Sequence, residues 1–191
     1  MAKSFNEHER DTIRQALIEA CKQCWNQYGY QKTNVRELAE MANISVGMFY
    51  QFYRSKEMLF IDAAKGYESE MEAMLVAAME ASPDRRGVAQ ALKAIVGYVR
   101  SMGWISSMWQ EWPVIARKLP PGFLEQDFLQ DIIRIEKYAT AYGITFKQDS
   151  QMTTLVVNIL VSSAVQAKLL PGDVDTAYDL MIDAVVDALV E

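Results

Sequence analysis

Apolar residues recur at three- and four-residue intervals along almost the whole chain, and no stretch keeps the alternation of a strand. In ERDTIRQALIEACKQCWNQYGY, Ile13, Leu17, Ala20, Cys24 and Tyr28 form one stripe, and Gly29 is placed to end it as a C′ residue. NVRELAEMA predicts a short helix over 34–41, with Asn34 and Glu37 at capping-box spacing. Ser45 caps a third helix over 45–52, and Ser55 caps a fourth that runs to about Ala81. Ser82-Pro83 restarts the chain, because proline fits the first helical position. Gly103, Pro113, Pro120-Pro121-Gly122, Gly143 and Pro171-Gly172 mark further breaks. The pattern predicts an all-α chain of about nine helices. A three-helix head, residues 1–54, stands on a helical body, residues 55–191.

NISVGMFYQFYRSKE, residues 43–57, places four aromatics (Phe49, Tyr50, Phe52, Tyr53) within five positions, beside Arg54 and Lys56. A core helix does not carry aromatics on every face. Two short helices joined by ANI have the shape of a helix-turn-helix, whose second helix enters the DNA major groove. Ile44, Phe49 and Tyr53 then pack toward Leu38 and Ala39, while Ser45, Val46, Met48, Gln51 and the Tyr50 hydroxyl form a candidate reading face.

Ala16, Gly29-Tyr30, Thr33, Val35, Leu38-Ala39, Ile44-Ser45, Gly47, Tyr50, Tyr53, Ser55-Lys56-Glu57 and Leu59 together resemble the DNA-binding domain of the tetracycline-repressor (TetR) family of bacterial transcription regulators. The resemblance covers residues 10–60. It implies that Arg36 reaches a base edge, where an arginine fork suits guanine, and that Thr33 and Ser45 meet phosphates near helix N-termini. Val46, Gly47 and Met48 open the recognition helix, and Gly47 allows close backbone approach. Tyr50 resembles the family's tyrosine at the DNA backbone or a base. Lys56 resembles its phosphate-binding lysine, and Gln51 stands at a variable base-reading position. Two positions depart from the pattern. Phe52 stands where histidine or tyrosine is common, so a polar backbone contact is lost, and Tyr53 stands where phenylalanine is usual.

Charge fits this arrangement only once it is split. The net charge of −6 argues against nucleic acid, but residues 1–60 carry +1 and the remainder −7, which leaves room for a small basic face on the head. The charged N-terminus MAKSFNEHERDTIRQ lacks a signal core, and Leu155–Val161 is too short to span a bilayer, so a cytoplasmic protein with no membrane partner is expected. Cys21 and Cys24 stand at C-x-x-C spacing. No βαβ pattern surrounds them, and His8 is the sole histidine, so apolar filling is expected, with thiol sensing as the alternative. No metal cluster, phosphate loop or nucleophile elbow stands out, so neither enzyme, metal nor cofactor is expected.

The body must then hold an effector site and an assembly surface. Met74, Tyr98, Met102, Trp104, Met108, Trp109, Trp112, Phe128 and Tyr138 are soft or aromatic residues suited to a lipophilic pocket. Asn158 and Arg100 are candidate polar anchors. Glu111, between two tryptophans, suggests a cationic aromatic ligand. The last two helices, 150–168 and 173–190, carry Met152, Leu155, Val156, Ile159, Leu160 and Val165, then Ala177, Met181, Ala184, Val185, Ala188 and Leu189. In the family such helices pair in a four-helix homodimer interface, and the small residues Ser162, Ser163 and Ala164 favour close approach. The sequence thus reads as a homodimeric repressor of a palindromic operator, released by a small effector, with transcription activation as the alternative.

Overall fold

In the computed structural model the chain is described over residues 6–167 and 170–191, with the backbone alone over 104–109. The described residues form α1 (Glu7–Lys32), α2 (Val35–Met41), α3 (Val46–Phe52), α4 (Lys56–Ala81), α5 (Arg85–Ser101), α6 (Gly103–Ala116), α7 (Phe123–Tyr142), α8 (Ser150–Gln166) and α9 (Val174–Leu189). Beside them stands one isolated antiparallel bridge, between Phe146 and Val190. The chain divides into two compact units. One is the chain up to Glu68 together with Gln110–Leu119; the other is Ser69–Trp109 with Pro120–Glu191. The start of α4 and the end of α6 therefore pack with the head, whereas a functional division at 54/55 assigns both to the body.

In the first unit, the buried side chains are Leu17, Ala20, Cys21, Cys24 and Trp25 of α1, Leu38 and Ala39 of α2, Phe49 of α3, and Leu59 and Phe60 of α4. The Trp25 and Phe60 rings meet edge to face with centroids 4.1 Å apart, a favoured aromatic geometry. Gly29 breaks the helical path of α1 where its sequence position suggests. It takes φ +76°, a kink, and the helix resumes to Lys32. Pro113, expected as a break, lies inside α6. Proline removes one helical hydrogen bond, and burial of Ile115 and Leu119 just beyond it keeps the last turn in place.

In the second unit, Leu92 and Val96 of α5, Leu160 and Ala164 of α8, and Tyr178, Ile182 and Val186 of α9 share one core. Asp84, Asp149 and Asp173 cap α5, α8 and α9 by accepting from backbone amides. Gly143, at φ +68°, closes α7 in a Schellman motif, with Ile144 N donating to Ala139 O. Leu160, Ala164, Val165 and Leu189, expected in an assembly surface, are buried in this chain's own interior. A helix shows its period from sequence, but not which of two apolar stripes faces inward. The exposed stripes are Met152, Leu155 and Ile159 on α8, and Ala177, Leu180, Met181, Ala184 and Ala188 on α9.

Candidate nucleic-acid interface

The turn between α2 and α3 sets the site. Asn43 adopts φ +55°, a conformation asparagine tolerates better than other non-glycine residues. Ile44 N donates to Ala39 O and Asn43 N to Glu40 O, a Schellman closure of α2 that aims the chain straight into α3. Ser45 then caps α3, its Oγ accepting from Met48 N at 3.1 Å. With Phe49 buried beneath, Ser45, Val46, Gly47, Tyr50 and Gln51 are exposed and Met48 is half-buried. Tyr50 is 55% exposed, unusually open for an aromatic ring.

Arg36, on the neighbouring α2, is exposed and pairs with Glu40 at 3.2 Å. Both partners are open to solvent, so the pair is weak and leaves the guanidinium able to swing. Thr33 is different. Its side chain is 1% exposed, and its hydroxyl proton goes to Gly29 O at 2.8 Å. It closes the end of α1, and its side chain is not available to a phosphate. Lys56 is half-buried, with its ammonium donating to Tyr30 O at 2.9 Å and Thr33 O at 2.7 Å. Burial holds its pKa below the usual lysine value. Two of its three protons are thus engaged with the end of α1, and the ammonium also stands 4.1 Å from the centre of the Tyr30 ring.

Two carboxylates brace the head; the sequence reading assigns Asp62 no part and Glu111 a different one. Asp62 of α4 accepts two hydrogen bonds from Arg14 of α1, from Nε at 2.8 Å and Nη2 at 2.7 Å, and a third from the Tyr53 hydroxyl at 2.5 Å. Tyr53 is the C-cap of α3, so the recognition helix is bolted to α1 and α4 through one carboxylate. Burial pushes the Asp62 carboxyl up, but the hydrogen bonds from Arg14 and Tyr53 outweigh it and hold the pKa below the usual aspartate range. The tyrosine in place of phenylalanine at 53 was the available signal, since a buried hydroxyl needs a partner.

The second group is Glu111 of α6. The kink at Gly29 frees backbone amides, and Glu111 caps them: Oε2 accepts from Tyr30 N at 2.5 Å and Oε1 from Gln31 N at 3.4 Å. Glu111 is therefore engaged in the first unit, which corrects its expected part as an anchor for a cationic ligand. Its neighbour Trp112 lies in the same unit. The Tyr30 hydroxyl in turn donates to Glu57, which is buried. Burial opposes ionisation of Glu57, yet hydrogen bonds from Tyr30 and Ser55 keep its pKa lowered.

In the second unit, Met74, Tyr98, Met102, Phe128, Tyr138 and Asn158 are all half-buried. The Tyr98 hydroxyl donates to Glu70 and the Tyr138 hydroxyl to Glu72, tying α5 and α7 to α4. Asn158 Nδ2 donates to Asp131 Oδ2 at 2.9 Å. Among its described residues α7 buries no side chain fully. The side chains of Trp104, Met108 and Trp109 lie outside the described residues. Arg100 stacks over Tyr178 and pairs with Asp175. Cys21 and Cys24 are both buried and free, and burial raises both thiols above their usual pKa, so neither is disposed to form a thiolate.

The braced helix-turn-helix coincides with a family signature: residues 17–63 match the model of bacterial regulatory proteins of the tetR family. Over these residues the head is similar to the tetR family. Over 99 residues the chain is 30% identical to an uncharacterized HTH-type transcriptional regulator, YhgD, of Bacillus subtilis, covering 51% of this chain and 52% of that one. Over 106 residues it is 26% identical to the HTH-type transcriptional repressor Rv1474c of Mycobacterium tuberculosis, covering 56% and 50%. These matches span about half the length of either relative. The likeness in three dimensions runs further. The crystal structure of RolR in complex with its ligand resorcinol aligns with 96% of this chain and 90% of its own, with TM-score 0.60 at 19% identity. At that identity the likeness is one of fold, and it extends beyond the head to the helices that follow it.

Proposed function

We propose that this chain is a DNA-binding transcription regulator that represses from a palindromic operator and is released by a small lipophilic or aromatic effector. The observation that carries the reading is the exposed face of α3, with Ser45, Val46, Gly47, Tyr50 and Gln51 open above a buried Phe49. A short helix whose outer face holds an open tyrosine, an amide and a glycine offers base-edge and backbone contacts in one groove. Arg36 adds a mobile fork beside it, and Lys56, at the start of α4, keeps one proton that neither carbonyl takes, for a phosphate in this reading. Repression is the sense of the name of the Mycobacterium relative.

The effector reading rests on the half-buried Met74, Tyr98, Met102, Phe128 and Tyr138, soft and aromatic groups on neighbouring helices. RolR holds resorcinol, an aromatic ligand, in the same fold. The protein is a homodimer in this reading, since a palindrome presents two half-sites. No helix of the described residues is long and apolar enough to cross a membrane.

The test is selection of duplexes from a randomised pool by the purified protein, followed by anisotropy titrations. A palindromic sequence should be enriched. Arg36→Ala should then lose about 1–3 kcal/mol of preference at one base pair per half-site, with other positions unchanged. No enrichment over the starting pool overturns the function; equal losses on selected and random duplexes remove Arg36 from the reading face.

A further inference from the structure

Several cations around α3 already face an acceptor. Arg14 is bidentate on Asp62, Lys56 donates to two carbonyls, and Arg36 pairs with Glu40. Arg10 does not. It is exposed on α1, makes no ion pair among the described residues, and its guanidinium stands 5.1 Å from the centre of the Phe52 ring. Phe52 is the last residue of α3 and follows the exposed Tyr50 and Gln51 directly. A cation from another helix therefore lies over the ring at position 52.

This arrangement has a chemical sense. A cation over a ring face is attracted by the ring quadrupole, which positions it without neutralising it. The N–H edge of the guanidinium stays open to solvent, where five donors in a fixed fork suit a phosphate. A helix seated in a major groove has phosphate ridges along both rims. A cation held beside the end of α3, off its reading face, is at the margin where such a ridge runs.

We propose that Arg10, positioned by the ring of Phe52, is a DNA-phosphate contact of the head. It binds backbone and not base edges, so it adds affinity for every sequence alike. The inference rests on the proposed DNA binding, and it assigns the N-terminal turns of α1 a part in it. Phe52 is a positioning residue in this arrangement, acting through Arg10.

Salt dependence separates the cases, because each neutralised phosphate releases counterions. The full-length protein is titrated by anisotropy on a random-sequence duplex and on a palindrome it has selected, over a range of potassium chloride concentrations. Arg10→Gln should lower the log–log salt slope by about one unit per head on both duplexes, with the selected-to-random ratio unchanged. Arg10→Lys should retain most of the slope. Phe52→Leu, which removes the ring and keeps an apolar side chain, should weaken both duplexes in the same direction as Arg10→Gln. Circular dichroism should show all three variants folded, since Arg10 is exposed and leucine keeps an apolar side chain at the half-buried position 52. A wild-type slope in Arg10→Gln overturns the inference and leaves the function standing. A loss confined to the selected duplex makes Arg10 a base reader and also overturns it. Wild-type protein that holds neither duplex overturns the function, and this inference with it.

Discussion

At the scale of single residues, the head is organised by carboxylates that accept several hydrogen bonds each. Asp62 takes three, from Arg14 and Tyr53, and its ionised form is the one they favour. Its pKa in the folded chain is below its ordinary value of 3.8. A depressed carboxylate contributes stability above the unfolded-state pKa and loses that contribution as pH falls through the folded one. Asp62→Asn should therefore cost about 1–3 kcal/mol near neutral pH, since one oxygen acceptor is lost and Arg14 loses its counter-charge. Urea titrations should show the gap between variant and wild type closing as pH drops from about 4 downward. A gap that stays constant through that window would mean the carboxylate charge contributes nothing. Little of this network was legible in the sequence. Arg14, Tyr53 and Asp62 are far apart along the chain, and hydrogen bonds between distant side chains leave no periodic mark. Thr33 and Glu111 show the same limit. Each carries a group suited to a ligand, and each directs it to the backbone at the Gly29 kink.

At the scale of elements, periodicity and caps carried most of the fold. Ser45 caps α3 and α4 runs to Ala81, as the pattern predicts, because both signals are local. Breaking residues mark a weak point, and tertiary packing decides what happens there: the helical path breaks at Gly29, as the sequence suggests, but runs through Pro113. Two glycines of α5 make a paired test. At Gly87 a Cβ would fall 1.8 Å from the Ser82 carbonyl oxygen and 3.0 Å from that of Ala78, backbone atoms that cannot swing aside. At Gly97 a Cβ would meet nothing within 4 Å. Gly87→Ala should destabilise by about 1–3 kcal/mol, as overpacking does. Gly97→Ala should stabilise by roughly 0.5–1 kcal/mol through the lower conformational freedom of the unfolded chain. Thermal melts of the two variants should move in opposite directions. If Gly87→Ala melts with the wild type, the start of α5 does not need the close approach of its backbone to Ser82.

At the scale of the whole molecule, the exposed apolar stripes of α8 and α9 bear on assembly. In the single chain Leu180 is 67% exposed and Ile159 is 58% exposed, with Met152, Leu155 and Met181 open beside them. Soluble surfaces seldom gather so many large apolar side chains on two adjacent helices, and such a patch marks a protein contact. The sequence placed the interface on these helices through the family resemblance, yet missed Leu180 and included Leu160 and Leu189, which lie in the core. Ala184 is exposed, seven positions from Ala177 and four from Leu180, so it lies within the open stripe of α9. Ala184→Arg leaves the chain's own core untouched and puts an unpaired charge into the proposed interface. Removing such a charge from water costs several kcal/mol, and every ~1.4 kcal/mol is tenfold in dissociation constant. Sedimentation should find folded monomers at concentrations where wild type and Gly97→Ala are dimers. The consequence for DNA follows from geometry. Two heads read one palindrome only when tied together, because the second half-site is then met at a high effective concentration. Ala184→Arg should therefore lose most of its affinity for a selected palindrome while binding a single half-site as wild type does. A dimeric Ala184→Arg protein would place the interface on another face. A monomeric one with full affinity for the palindrome would show that each head binds independently of assembly.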